Sequence, residues 1–179
     1  MSYRSYRKYL DDYRIEEQIT ETGRRRKVTV YVAGYYTLVP AISRRDKWLI
    51  LIATALEWSL ILGGLSFKGQ ANEKWYVLLP FVFTIMPLYY LTRGAISLFL
   101  AGERLERQKA DRIARFLPVP SLAASVLPLI SCIGIIIIAI TQPSIMISED
   151  KLFGVLSLLA ALASAFTYSK CRKLTTFLL

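Results

Sequence analysis

The chain has 179 residues, 54% of them hydrophobic, with 23 basic and 13 acidic side chains for a formal net charge of +10. A soluble domain with that charge seldom has so apolar a composition, so the charges must be segregated from long apolar runs. Histidine, the commonest metal ligand and general base, is absent, and Cys132 and Cys171 form no CxxC. No serine nucleophile motif, glycine-rich phosphate loop or acidic metal cluster stands out, so the expectation is no catalytic residue, metal or cofactor and no enzyme.

Residues 1–47 are mostly polar and are expected to form a cytoplasmic segment. A cleavable signal peptide would place its apolar core far nearer Met1, and none is expected. Tyr3, Tyr6, Tyr9 and Tyr13 recur at three, three and four residues, which predicts a short helix carrying them as one stripe. Gly23 ends that pattern. Val28 to Leu38 then alternates as strand, with a turn predicted at Ala33-Gly34, giving a β-hairpin. Such a hairpin is marginal alone and forty residues bury too little to fold independently, so the segment must lean on its own membrane domain, another copy or a different protein.

Four apolar runs follow, at 48–67, 75–99, 119–140 and 152–168. Each can cross a hydrocarbon core of about 30 Å at about 1.5 Å per helical residue. Trp48, and Trp75 with Tyr76, open the first two spans with aromatics suited to an interface. Pro80 and Pro87 favour a kink in the second. Residues 103–117 are predicted to be helical, with Glu103–Arg107 and Asp111–Arg115 as i,i+4 pairs. Only Leu105, Ile113, Phe116 and Leu117 are large and apolar there, which predicts a weakly amphipathic helix. The expected organisation is 1–47 as an N-terminal segment, 48–169 as a four-helix transmembrane domain with the helical loop 103–117, and 170–179 as a tail.

Charge placement gives an expected orientation. Residues 1–47, the second loop and the tail hold nineteen lysines and arginines, against three in the first and third loops. The positive-inside rule then puts both termini in the cytoplasm. The fold class predicted is an all-α membrane protein, N-in and C-in, with the short helix and hairpin at its N-terminus. Basic residues beside spans are what topology demands, so nucleic acid is not an expected partner. The dense run Arg24, Arg25, Arg26 and Lys27 is the candidate contact with anionic headgroups, worth about 1 kcal/mol per residue.

Two ionisable residues fall inside spans, Glu57 near the middle of the first and Arg93 toward the cytoplasmic end of the second. Such residues are costly in a bilayer and mark function by default. Side chains lean toward their helix N-terminus, so Glu57 and Arg93 can reach toward each other across a height difference of roughly 10–12 Å. Two blander roles compete: Arg93 snorkelling to the surface, and Glu57 as a hydrogen-bonded packing contact on the second helix. On the fourth span, Gly154, Ser157, Ala161, Ser164 and Ala165 recur as a small-residue face for close helix packing, within the chain or between copies.

The stretch RRRKVTVYVAGYYTLVP ahead of four spans resembles small four-helix membrane proteins of Firmicutes. That resemblance implies a bacterial cytoplasmic membrane and supplies no function. A lone membrane Glu in the first of four helices is similar to small proton-coupled multidrug exporters, but this chain is longer and carries a 47-residue cytoplasmic segment. The expected function is a noncatalytic accessory or regulatory subunit of a larger membrane transport complex. The alternative is a homo-oligomeric small transporter or channel built around Glu57.

Overall fold

A computed structural model of the chain describes residues 9–19, 25–39, 42–102 and 105–178. Among the described residues six α-helices form an up-and-down bundle, and four short strands lie at the end where the described chain begins and finishes, here the terminal end. Four helical runs are long and apolar enough to cross a membrane: Arg44–Leu65, Trp75–Phe99, Arg107–Thr141 and Ser148–Cys171.

Helix α1, Arg44–Leu65, begins one turn before Trp48 because Ser43 caps it; its Oγ accepts from the Asp46 N–H at 3.1 Å. The second run divides at Thr84 into α2, Trp75–Phe83, and α3, Ile85–Phe99. Pro87 has no N–H to offer the carbonyl four residues back, which loosens the ladder there. The Thr84 N–H turns to Phe81 O at 3.2 Å, and its hydroxyl donates to the Pro80 carbonyl at 3.0 Å. A side chain thus repairs what the prolines undo.

The third run divides at Leu117 into α4, Arg107–Phe116, and α5, Pro118–Thr141, with proline opening α5. Helix α6 is Ser148–Cys171. Around the bundle, α6 packs on α1 and α5, α2 and α3 pack on α5, and α3 closes the ring against α1. The core holds Ile50, Ile61, Phe81, Leu88, Leu91, Leu98, Ile135 and Phe153. Leu56, Leu62, Met86, Ile136 and Ile140 are each more than half exposed on the outside. An aliphatic exterior of that kind suits lipid rather than water.

The terminal end departs from the sequence reading in four ways. No helix carries the tyrosine stripe among the described residues. Tyr9 lies in a turn before a short 3-10 helix, Leu10–Asp12, and Tyr13 opens strand β1, Tyr13–Ile19; Tyr3 and Tyr6 lie outside the described residues. Strand β2, Arg25–Tyr31, pairs antiparallel with β1 from Tyr13↔Tyr31 to Ile19↔Arg25, so the hairpin lies upstream of the predicted one. Strand β3, Tyr36–Val39, pairs with β4, Thr175–Leu178, which makes the tail part of the fold. The helix of the second loop starts at Arg107 rather than 103.

Helix α4 is also more strongly amphipathic than expected. Ala110 and Ile113 are buried along one face and Leu117 continues it at the junction, while Lys109 and Arg115 are exposed. Few apolar residues suffice when they recur at helical spacing and everything else is polar. At its end the backbone meets α3 so closely that a Cβ on Gly94 would stand 2.7 Å from the Phe116 carbonyl oxygen.

The N-terminal strands dock on the first turns of α4. Tyr9 donates to Asp111 Oδ2 at 2.9 Å, Tyr13 to Glu106 Oε2 at 3.1 Å, and the Arg107 N–H to the Tyr31 hydroxyl at 3.0 Å. Tyr36 and Leu105 exchange both backbone hydrogen bonds, at 2.8 and 2.9 Å. The segment too small to fold alone therefore leans on its own chain. At the opposite end, the Lys68 N–H donates to Glu149 Oε2 at 3.1 Å, joining the loop after α1 to the first turn of α6.

Candidate functional site

Glu57 lies midway along α1 with no solvent exposure, and neither carboxylate oxygen makes a hydrogen bond among the described residues. Its polar neighbour is Ser164 on the facing helix α6, also fully buried, whose Oγ likewise completes no hydrogen bond. The two groups therefore adjoin without satisfying each other. An uncompensated buried polar group costs about 1–3 kcal/mol, more if charged, so this pair calls for a reason to persist.

The local sequence explains the juxtaposition. Buried residues of α1 are Ile50, Thr54, Glu57, Ile61 and Gly64, spaced four, three, four, three. Those of α6, read backwards, include Cys171, Thr167, Ser164, Ala160 and Ser157, with the same spacing. Antiparallel helices with Glu57 set against Ser164 thus bring Thr54 to the level of Thr167 and Ile61 to the level of Ala160. This is the close, nearly aligned packing that alternating three- and four-residue steps produce. Toward the terminal end the neighbouring level is hydroxyl-bearing. Thr54 Oγ1 donates to Ile50 O at 2.8 Å and Thr167 Oγ1 to Ala163 O at 3.2 Å, while both oxygens retain acceptor capacity.

The opposite direction is apolar. Ile61 is fully buried, and beyond it the fully buried rings of Phe81 and Phe153 stand 4.5 Å apart, tilted by 52°. Both close on Gly64: a Cβ there would meet Phe81 Cζ at 2.5 Å and Phe153 Cε2 at 3.5 Å. The glycine is what lets two aromatic rings fill the bundle centre at this level.

Arg93 does not join this site. Trp58 donates to Thr92 Oγ1 at 2.8 Å, and Trp48 and Phe99 pack edge to face with centroids 4.6 Å apart. These contacts bring Glu57 and Arg93 much nearer in height than separate helices suggest. They differ in direction. Successive side chains turn about 100° around a helix, so with Trp58 facing α3, Glu57 faces α6. The guanidinium of half-buried Arg93 lies 6.0 Å from the ring centroid of Tyr89, itself exposed on the outside of α3, and neither oxygen of Glu57 pairs with it. The expected packing contact of Glu57 with the second span is therefore replaced by one with the fourth.

The small-residue face lies largely inside the chain. Ser157, Ala161 and Ser164 are buried, Gly154 is half-buried against Ile135, and Ala165 is exposed on the other side of the helix. Of the basic run, Arg25, Arg26 and Lys27 lie on β2, Lys27 is exposed, and Arg24 falls outside the described residues. Among the described residues no group of three or more potential ligands could hold a metal ion.

A second polar cluster sits where β1 meets α4. Asp12 is buried, with Oδ1 3.6 Å from Arg107 and Oδ2 without a hydrogen bond among the described residues. Beside it, Tyr13 is pushed up to about 12, first by burial and then by the charge of Glu106, which accepts its hydroxyl. An open groove of about 510 Å³ runs alongside, lined by Tyr9, Leu10, Tyr13, Ile15, Thr29 and Gln108. Sequence reasoning missed Ser164 as the partner of Glu57 and missed the two rings over Gly64. The mirrored spacing on the first and fourth spans was the available signal. Comparison of the chain with protein-family models, curated proteins and solved structures gave no match. The functional reading accordingly rests on the site itself.

Proposed function

We propose that this chain is a small multi-pass protein of a bacterial cytoplasmic membrane, with both termini cytoplasmic, that takes up and releases a proton at Glu57 as a proton-coupled transporter or channel. The observation that carries the reading is a fully buried carboxyl, at mid-height in the bundle, that completes no hydrogen bond or ion pair among the described residues and has Ser164 as its polar neighbour. A carboxyl kept only as packing glue would be held by fixed partners, whereas one that binds and releases a proton keeps its oxygens open to a mobile donor or acceptor. Ser164 Oγ can accept from the protonated acid and donate to the carboxylate, so one neighbour serves both states. The site lies within one chain, so an oligomer is not needed to complete it. The skew of nineteen basic residues against three supports the orientation.

The test is proton uptake by liposomes carrying the purified chain and an internal pH dye, driven by a potassium diffusion potential. The wild-type chain is expected to exceed empty liposomes at least tenfold, and Glu57→Gln to fall to the empty-liposome rate while incorporating equally. Gln keeps size and hydrogen bonding but cannot ionise. Equal flux through both chains would remove the reading.

A noncatalytic accessory or regulatory subunit of a larger membrane complex is the second reading. Leu10 and Ile15, 54% and 68% exposed beside the groove at the terminal end, support it as a place where another protein could bind. Recovery of a stoichiometric foreign subunit with the tagged chain from its native membrane would favour it.

A further inference from the structure

We propose that Glu57 is reached from the terminal end of the bundle only, and that Phe81 and Phe153, closed over Gly64, form the plug that seals the other side. This inference rests on the reading of Glu57 as the working carboxyl, but concerns access rather than transport. The two directions out of the site differ in chemistry. Toward the termini, Thr54 and Thr167 stand one turn from Glu57 and Ser164, and their buried hydroxyls can hand a proton or a water onward. Beyond them one closing level remains, Ile50 with Cys171. At its mouth Lys170 Nζ meets Asp46 Oδ1 at 2.9 Å, an ion pair between α6 and α1 whose side chains are 42% and 30% exposed. A partly hydrated pair of that kind opens at little cost.

Toward the opposite end the first level is Ile61 and Ala160, both fully buried and without a polar side-chain atom. The next is the ring pair, with centroids 4.5 Å apart and Gly64 leaving no space between ring and backbone. Ser157 is buried at that level with its hydroxyl on Phe153 O at 2.8 Å, the same back-bond that Thr54 makes, so what closes this side is the aliphatic level and the two rings rather than a want of hydroxyls. Hydroxyls on one side and two aromatic faces on the other make access one-sided in this conformation. Phe81 comes from the second span, a helix broken three residues later at Thr84. That break gives the plug a hinge, since the ring can withdraw with α2 while α3 holds its place against α1.

The experiment measures reaction of a cysteine at the site with a membrane-impermeant methanethiosulfonate. The full chain carries Cys132→Ala, Cys171→Ala and Glu57→Cys, in vesicles of both orientations. Separate chains with Lys27→Cys and Ser144→Cys report which end of the bundle the reagent meets. The position-57 thiol is expected to react at least tenfold faster from the Lys27 side than from the Ser144 side. Adding Phe81→Ala is expected to raise the rate from the Ser144 side at least tenfold. Should that chain not assemble, Phe153→Leu is expected to raise it in the same direction. Equal or faster reaction from the Ser144 side before the plug is altered, no rise with either plug variant, or no reaction from either side would each overturn the proposal. Silence of Glu57→Gln in the proton assay would instead remove the functional reading and leave the access result standing.

Discussion

The two halves of the α1–α6 seam are built on one geometric rule and filled with opposite chemistry. From Glu57 toward the termini the next buried residues are Thr54 and Thr167; away from the termini they are Ile61 and Ala160, then Gly64 and Ser157 at the level of the Phe81 and Phe153 rings. Spacing of four and three residues fixes which side chains face the partner helix, and it is identical in both halves. Residue type alone then makes one half hydroxyl-lined and the other sealed. Helix packing thus supplies a ladder, and a single glycine and a single acid decide what the ladder can do.

The sharpest way to break this comparison is to fill the sealed half. Gly64→Val would drive a side chain into the Phe81 ring, whereas a Cβ on Gly63 meets nothing within 4 Å. Overpacking of this kind costs about 1–3 kcal/mol, and Gly64→Val should lie at the top of that range. Gly63→Val should stay within about 0.5 kcal/mol of the parent. Thermal unfolding of the two variants in one detergent distinguishes them, and similar melting points would mean that the rings do not close on Gly64.

Next in size is Ser164→Ile, which adds bulk to a fully buried position and removes the one polar neighbour of Glu57; a loss of roughly 2 kcal/mol is expected. Ala165→Ile, one residue on but exposed, should be nearly silent. Equal losses would show that α6 is not oriented with its Ser157–Ser164 face inward.

Glu57→Leu should run the other way. Replacing an uncompensated buried carboxyl by an aliphatic side chain of similar volume removes a polar desolvation penalty, so stability should hold or rise by roughly 1 kcal/mol while proton uptake is lost. A fall in melting temperature would mark Glu57 as structural glue and would favour a passive role for the seam.

The four long apolar helices were legible in the sequence because long apolar runs and prolines are one-dimensional signals. Helices α1, α2 with α3, α5 and α6 fall within about four residues of 48–67, 75–99, 119–140 and 152–168, and the second run bends near its prolines. What faces what was less legible. Glu57 and Arg93 look like partners when only heights and leanings are counted, but the hydrogen bond of Trp58 to Thr92 fixes the rotation of α1 and turns Glu57 to α6. Strand pairing was least legible, since β3 pairs with β4 some 140 positions away and nothing local announces it. Tyrosines at helical spacing misled for a related reason. Tyr9 and Tyr13 are placed by hydrogen bonds to Asp111 and Glu106, about a hundred residues downstream.

That long-range docking yields the smallest effect and the one that tests the terminal end by itself. Tyr13 donates to Glu106 at 3.1 Å, packs edge to face on Tyr31 at 5.3 Å, and has its pKa raised from 10.0 to about 12. Because the folded value lies above the unfolded one, the unfolded segment releases the phenolic proton first as pH rises. The contribution of this group is therefore fully present below about pH 10, falls between pH 10 and 12, and is gone above that window. Tyr13→Phe removes the hydrogen bond and the titration together while keeping the ring contact. It should cost about 1 kcal/mol at neutral pH. It should also flatten that part of the alkaline loss, read as protease protection of the β1–β2 hairpin between pH 9 and 12. An alkaline profile unchanged by Tyr13→Phe would mean that the strands are held to α4 by the Tyr36–Leu105 backbone pair and the ring contacts rather than by the Tyr13–Glu106 bond.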